Sequence, residues 1–215
     1  MVRTLFSLSV VVLLAGGVAL AGEGKPEGTK PAPPPLTAET VKKMVDSSER
    51  QVATIEKDTQ STDAALKAAA EAALPVARRL AEARKAQLAA LEKNDTAAAE
   101  AAAKEYTKIN SENMPILEKY RLLKANADIT ARAAKSDKPE AKELAAKVVK
   151  AGESVLAALD NLAKAMAEKN EQAVRDARAE LKKTQAERLA AEAEFRQATA
   201  PPKKADPQEK PKAAN

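Results

Sequence analysis

The feature that most limits the possible folds of this chain is a long region almost without glycine. Between residues 36 and 199, Gly152 is the only glycine, and alanine, glutamate, lysine, leucine and arginine dominate the composition. These residue types have the highest intrinsic helix propensities. The region also lacks the alternation of apolar and polar residues that marks a strand. The sequence therefore predicts an all-α fold.

Short polar segments divide this region into separate helices. We predict helices at 37–58, 62–93, 95–135, 138–168 and 171–199. Thr37 is placed to cap the first helix, and Asp137 with Glu140 forms a capping-box pattern before the fourth. Connections this short favour antiparallel neighbours. We therefore expect an up-and-down antiparallel bundle of about five long helices over residues 37–199.

Two prolines lie inside the predicted helices, and each of them either bends or breaks its helix. No capping residue precedes Pro75, which favours a bend in a continuing helix. Around Pro115, small and apolar positions keep a spacing of three and four residues from 99 to 134, which favours a kinked, nearly continuous helix. Asn113 is nevertheless a competent N-cap for a new helix, so a break at Pro115 remains the alternative. Two kinked long helices imply an elongated, curved bundle.

The predicted helices have thin apolar faces in which alanine is frequent. Alanine lets helices approach closely but buries little area, so coiled-coil-like packing must draw its stability from many small contacts. The larger predicted core residues are Val41, Val45, Val52, Ile55, Leu66, Leu80, Leu88, Leu91, Leu144, Val148, Val155, Leu159, Leu162, Met166, Val174, Leu181, Leu189 and Phe195.

The first 21 residues have the layout of a secretory signal peptide. Arg3 precedes an apolar stretch over residues 5–20. The segment ends with Ala19, Leu20 and Ala21, which resemble the small-residue cleavage site of a signal peptide. The apolar stretch is shorter than the roughly 20 residues of a spanning helix. We expect cleavage, no transmembrane segment afterwards, and a periplasmic or extracellular location. An uncleaved membrane anchor is the alternative.

Segments rich in proline and lysine flank the helical region on both sides. Residues 22–36 are predicted to be a disordered linker of proline, glycine and lysine, and residues 200–215 a disordered basic tail. The tail carries four lysines against Asp206 and Glu209. We expect this tail to be a solvated spacer, with at most weak contact with acidic envelope polymers.

The residue inventory excludes most kinds of reactive site. The chain has no histidine and no cysteine, so it cannot form the usual zinc sites, a His-ligated haem or a Ser-His-Asp triad. The carboxylate pairs Glu140 with Glu143 and Glu168 with Glu171 lie at helix starts, where the helix dipole favours acidic residues. We therefore predict no catalytic, cofactor-binding or metal-binding residues and no enzymatic activity.

Nucleic-acid binding is also not predicted. After removal of the signal peptide, the aromatic residues are Tyr106, Tyr120 and Phe195. All three lie at core spacing, and none alternates with basic residues as a stacking platform requires. The formal net charge of +5 includes Arg3 and the lysines of the tail, so the helical region itself has no strong excess of positive charge.

The closing hairpin, LDNLAKAMAEKNEQAVRDARAELKKTQAERLAAEAEFR at 159–196, resembles the final helical pair of the small periplasmic b-type cytochromes, which are four-helix bundles. The resemblance covers about a fifth of the chain. It implies a shared bundle shape without the haem: Met44 matches the methionine ligand of that family, but this chain has no histidine for the second ligand.

These observations predict a non-catalytic helical protein of the cell envelope that acts as a structural element, spacer or adaptor. It would bind a protein partner or itself through its helical faces, and Asn113 in the apolar seam would set the register of such an assembly. The alternative is a carrier of a small ligand, with a pocket between the kinked helices near Pro75 and Pro115, lined by Ile109, Ile116 and Tyr120.

Overall fold

The structure of the protein is a computed structural model that describes residues 36–200. The predicted signal peptide, the linker up to residue 35 and the tail from residue 201 lie outside the described residues. The described region is all-helical, as predicted, and contains no strand.

Six helices make up the described region: α1 Ala38–Asp58, α2 Ala64–Glu92, α3 Thr96–Glu112, α4 Met114–Ala134, α5 Pro139–Ala167 and α6 Glu171–Thr199. Four of the five predicted helices agree with α1, α2, α5 and α6 to within two residues at each end. The predicted third helix is two helices in the structure, so the count of five is not confirmed.

Side-chain caps fix most of the helix starts. Thr37 caps α1 as predicted, because its Oγ1 accepts a hydrogen bond of 3.2 Å from the backbone N–H of Thr40. The side chains of Asp63, Asp95 and Asn170 cap α2, α3 and α6 in the same way. The predicted cap of α5 at Asp137 is wrong. Lys138 occupies the N-cap position without a side-chain bond, because Pro139 begins the helix.

A single residue separates α3 from α4. Asn113 has φ −112° and ψ 12°, outside the helical region. Its N–H still donates to the carbonyl of Ile109 at 3.2 Å, and its carbonyl accepts from the N–H of Leu117 at 3.2 Å. Pro115 has no N–H to offer the carbonyl of Ser111, so one helical hydrogen bond is necessarily missing here. In place of the one kinked, nearly continuous helix that we favoured, the structure has two helices, α3 and α4, that meet at Asn113.

Asn113 occupies the N-cap position of α4, as the alternative prediction placed it. Its side chain makes no capping bond to α4. Instead, Nδ2 donates to the Ile109 carbonyl at 2.8 Å, so the amide closes the end of α3. The helix α2 continues through Pro75, as predicted.

Each helix packs mainly on its neighbours in the chain. α1 packs on α2, α2 on both α3 and α4, α4 on α5, and α5 on α6. Because α2 contacts the helices on both sides of Asn113, α3 and α4 lie end to end along it. We call this pair of helices, residues 96–134, the α3–α4 rod.

Three apolar cores lie along the rod. The first joins α1, α2, α3 and the start of α4 and contains Ile55, Leu66, Ala70, Ala73, Leu80, Ile109, Leu117 and Tyr120. The second lies where Leu122 of α4 meets Leu159 and Leu162 of α5 and Leu181 of α6. The third groups Ala133, Ala141, Ala145, Val148, Ala191 and Phe195. The helical bundle therefore has no single central core within the described region.

One predicted core residue is on the surface. Leu189 is 60% exposed, and α6 instead turns Leu181, Thr184 and Phe195 inward. The inward position next to Leu189 belongs to Arg188, whose side chain is only 13% exposed. The prediction was wrong because Arg188, and not the leucine beside it, occupies the inward position of α6, where the sequence pattern predicts an apolar residue.

Candidate functional site

One cluster of buried polar side chains lies where the end of α1 meets α4. Asp58 is buried, and its carboxylate accepts hydrogen bonds from the hydroxyl of Tyr120 at 2.8 Å and from Nζ of Lys124 at 3.2 Å. Lys124 also lies 3.7 Å from the carboxylate of Asp128. We call Asp58, Tyr120 and Lys124 the Asp58 cluster. It ties together residues that are more than 60 positions apart in the chain.

The position of Asp58 is electrostatically unusual. It is the last residue of α1, where the negative end of the helix dipole disfavours a carboxylate. Lys124 supplies the compensating positive charge and Tyr120 a neutral donor. Burial, followed by the hydrogen bond to Asp58, raises the pKa of Tyr120 above its ordinary value of 10.0. The hydroxyl is therefore a stable proton donor, not a poised acid or base.

A second polar cluster lies between α4, α5 and α6. Nη2 of Arg188 donates to Oδ1 of Asn126 at 3.1 Å, and Nη1 lies 2.5 Å from the carboxylate of Glu192. Glu192 also binds Arg196 at 2.9 Å. Nε of Arg188 is buried and has no hydrogen-bond partner. Burial lowers the pKa of Arg188, while the charge of Glu192 opposes this shift. We call Asn126, Arg188 and Glu192 the Arg188 cluster.

Gly152 makes room for the Arg188 cluster. A Cβ atom at this position would lie 2.9 Å from Nδ2 and 3.3 Å from Oδ1 of Asn126. These distances are shorter than ordinary van der Waals contact, so the amide of Asn126 fits against α5 only because residue 152 lacks a side chain.

The residues of the predicted ligand pocket do not meet in one cavity. Ile109 and Tyr120 are buried in the first core, whereas Ile116 is 37% exposed. A groove of about 430 Å³ does lie close by, between α2 and α3. Its lining includes Ala83, Ala86 and Ile109 together with four charged residues, Arg78, Arg79, Glu82 and Glu105.

The charged residues considered for chemistry remain dispersed. Among the residues that the structure describes, no three Asp or Glu side chains gather into a group that could hold a metal ion. Glu140 and Glu171 lie in the first turns of α5 and α6, as the dipole argument expects. Glu168 is instead the C-cap of α5, so its predicted place at a helix start is wrong. Within residues 36–200, none of the helices is both long and apolar enough to cross a membrane.

Comparison with known proteins found no matching family model, no matching curated protein and no matching solved structure. The likeness of residues 159–196 to the b-type cytochrome hairpin therefore remains a resemblance in sequence.

Sequence reasoning missed both polar clusters. Asp58 and Lys124 look like ordinary surface charges in the sequence, because nothing local shows that α1 ends beside α4. Gly152 offered the one usable signal: a lone glycine in an alanine-rich helix indicates close approach by another group. The sequence does not reveal that this group is Asn126.

Proposed function

We propose that this chain is an exported, non-catalytic helical protein that acts as a spacer or adaptor of the cell envelope. It forms an elongated, up-and-down antiparallel bundle whose working surfaces are the outer faces of its helices. Its partner is another protein or a second copy of the same chain, and nucleic acid is not involved.

The observation that carries this proposal is the end-to-end arrangement of α3 and α4. The rod has 39 residues from Thr96 to Ala134, which corresponds to about 58 Å at 1.5 Å per residue if it is straight. α2 and α5 pack along its sides, while α1 packs on α2 and α6 packs on α5. Such an object holds two ends of the molecule far apart, which suits a spacer, and it offers long helical faces to a partner.

The helix with the least covered surface is α3. It packs on α2 and buries only Ala99 and Ile109 of its 17 residues. Exposed residues on its remaining faces include Ala97, Ala98, Ala101 and Lys104. Small side chains allow a second helix to approach closely, so we propose α3 as the face that receives the partner helix.

Site-specific cross-linking in the native host tests this proposal. A photoreactive amino acid is placed at Ala101 of α3 in the full chain, and at Ala163 of α5 as the matched control, because both are exposed helical alanines. We expect a discrete cross-linked product in the envelope fraction from position 101 and none from position 163. Mass analysis of the same material should show processing after Ala21. Equal products from both positions, or an unprocessed chain in the cytoplasm, would contradict the proposal.

The groove between α2 and α3 supports a second candidate function, the carrier of a small ligand. Its alanine and isoleucine residues with a charged rim suit an amphipathic molecule. Native mass spectrometry of the full chain purified from its host should then show a bound mass that Ala86→Trp removes. The mass of the bare polypeptide alone would count against a carrier.

A further inference from the structure

Contacts between the helices fix which residues lie at the same level of the molecule. Between α1 and α2, Glu56 pairs with Arg78 and Glu49 pairs with Lys85. Because α1 and α2 are antiparallel, each residue counted back along α2 corresponds to one residue forward along α1. From either pair, this count places Pro75 opposite Thr59. The first proline therefore lies at the level where α1 has just ended.

The same level holds the break in the rod. Between α2 and α3, Arg79 pairs with Glu105, and the guanidinium of Arg84 lies 3.7 Å from the ring centre of Tyr106. Because α2 and α3 are antiparallel, each residue counted back along α2 from these contacts corresponds to one residue forward along α3. This count places Pro75 opposite residues 109–115. This segment contains Asn113 and Pro115.

The pairing of α4 with α5 completes this register. Lys119 binds Asp160 at 2.8 Å, and Asn126 contacts Gly152. Stepping back along α4 from either contact places Asn113 opposite residues 165–166, next to the end of α5 at Ala167. The turn between α5 and α6 therefore lies close to the level at which α1 ends.

This arrangement divides the described region into two halves. The first half contains α1, α3 and the part of α2 after Pro75. The second half contains α4, α5, α6 and the part of α2 before Pro75. Within residues 36–200, the chain passes between the halves three times: through the connection at 59–63, through α2 and through the rod. Each of the two helical crossings has a proline. Both helical crossings therefore lack a helical hydrogen bond, which is where helices bend.

We propose that this level is a hinge, and that the Asp58 cluster is its latch. Asp58 belongs to the first half, whereas Tyr120 and Lys124 belong to the second. Their hydrogen bonds to Asp58, buried for Tyr120 and partly buried for Lys124, join the halves beside the two interrupted helices. The hinge bends when these bonds open. The first core, which has residues on both sides of this level, then repacks, while the second and third cores stay intact. Such a device would let a spacer adjust its shape to a partner.

Pulsed electron resonance distances test the hinge, because a chain without cysteine accepts spin labels only at introduced cysteines. One pair, Lys104→Cys with Lys150→Cys, spans the two halves. The control pair, Lys142→Cys with Lys164→Cys, lies within α5 at about 33 Å. All four positions are exposed. We expect the distance distribution across the halves to be about twofold broader than that of the control pair.

Three variants separate the parts of the proposal. Pro75→Ala with Pro115→Ala should narrow the distribution across the halves toward the control width. Pro75→Ala alone should narrow the distance distribution across the halves in part. Because Pro75 is exposed, this single variant can be measured even if the double variant does not fold. Tyr120→Phe removes one bond of the latch and should broaden it. The hinge is refuted if the wild-type widths are equal, or if folded proline variants leave the width unchanged. The latch is refuted if Tyr120→Phe has no effect.

Discussion

Gly152 lies in the middle of α5 with the amide of Asn126 against it, and this contact shows how single residues set the helix spacing. Asn126 in turn holds Arg188, and Arg188 holds Glu192. A buried arginine is stable only when hydrogen bonds and opposite charge replace the water it has lost. The missing side chain at residue 152 is therefore a requirement of the whole Arg188 cluster.

Whether replacing Gly152 raises or lowers the free energy of unfolding depends on Asn126. In the wild-type chain, Gly152→Ala forces the amide of Asn126 to move. We expect a loss of about 1 kcal/mol in the free energy of unfolding, because a steric cost of roughly 1–3 kcal/mol exceeds the gain in helix propensity. In an Asn126→Ala background the same substitution should stabilise by up to about 1 kcal/mol.

Urea denaturation followed by circular dichroism measures both effects. Each glycine variant is compared only with its own background, so the cost of Asn126→Ala cancels. Equal changes in the two backgrounds would mean that Asn126 does not limit residue 152.

Tyr120 predicts a pH dependence of stability. Its pKa is raised in the folded state, so the neutral hydroxyl is favoured by folding. The resulting stability is fully present below the unfolded pKa of 10.0 and is lost as pH rises toward the folded pKa. Between pH 10 and 11 the wild type should lose about 1 kcal/mol that Tyr120→Phe does not lose. Urea titrations of both proteins at these two pH values measure the difference, and parallel losses would contradict the assignment.

At the scale of elements, α6 shows how an outer helix is held. It buries Leu181, Ala191 and Phe195 in apolar cores, and Arg188 donates a hydrogen bond to Asn126 of α4. The apolar residues supply the buried area, and the polar contact adds specificity of alignment.

Two leucines of α6 provide a matched comparison. Leu181 is 6% exposed and Leu189 is 60% exposed. We expect Leu181→Ala to lower the free energy of unfolding by about 2–5 kcal/mol, because it leaves a cavity in the second core. Leu189→Ala should change it by less than about 0.5 kcal/mol. Thermal or urea unfolding resolves this difference, and similar losses for the two variants would show that α6 is rotated from the orientation described above.

The sequence predicted the helices better than their interruptions. Caps and polar turns are local, so Thr37 and the boundaries of α5 and α6 could be predicted closely. The break at Asn113 could not, because an apolar pattern with an unchanged spacing fits a bent helix and two collinear helices equally well. Leu189 was misplaced for a related reason: the pattern favours the nearest leucine, whereas the buried arginine at residue 188 depends on Asn126 from another helix.

At the scale of the whole molecule, the order in which the helices pack places the cores one after another along the rod. The first core is built around α2, and the other two are built between α4, α5 and α6. The rod is shared by all three cores. This sharing gives the proposed spacer its length and concentrates any bending at the level of Pro75 and Asn113.

The distance between the two ends of the rod tests this account most directly. Spin labels at Glu100→Cys and Thr130→Cys, both exposed positions, are separated by 30 residues along α3 and α4. Helices lying end to end predict a backbone separation of about 45 Å. If α3 and α4 instead folded back on each other at Asn113, axes about 10 Å apart would bring the labels within about 20 Å, and the shared rod would be contradicted.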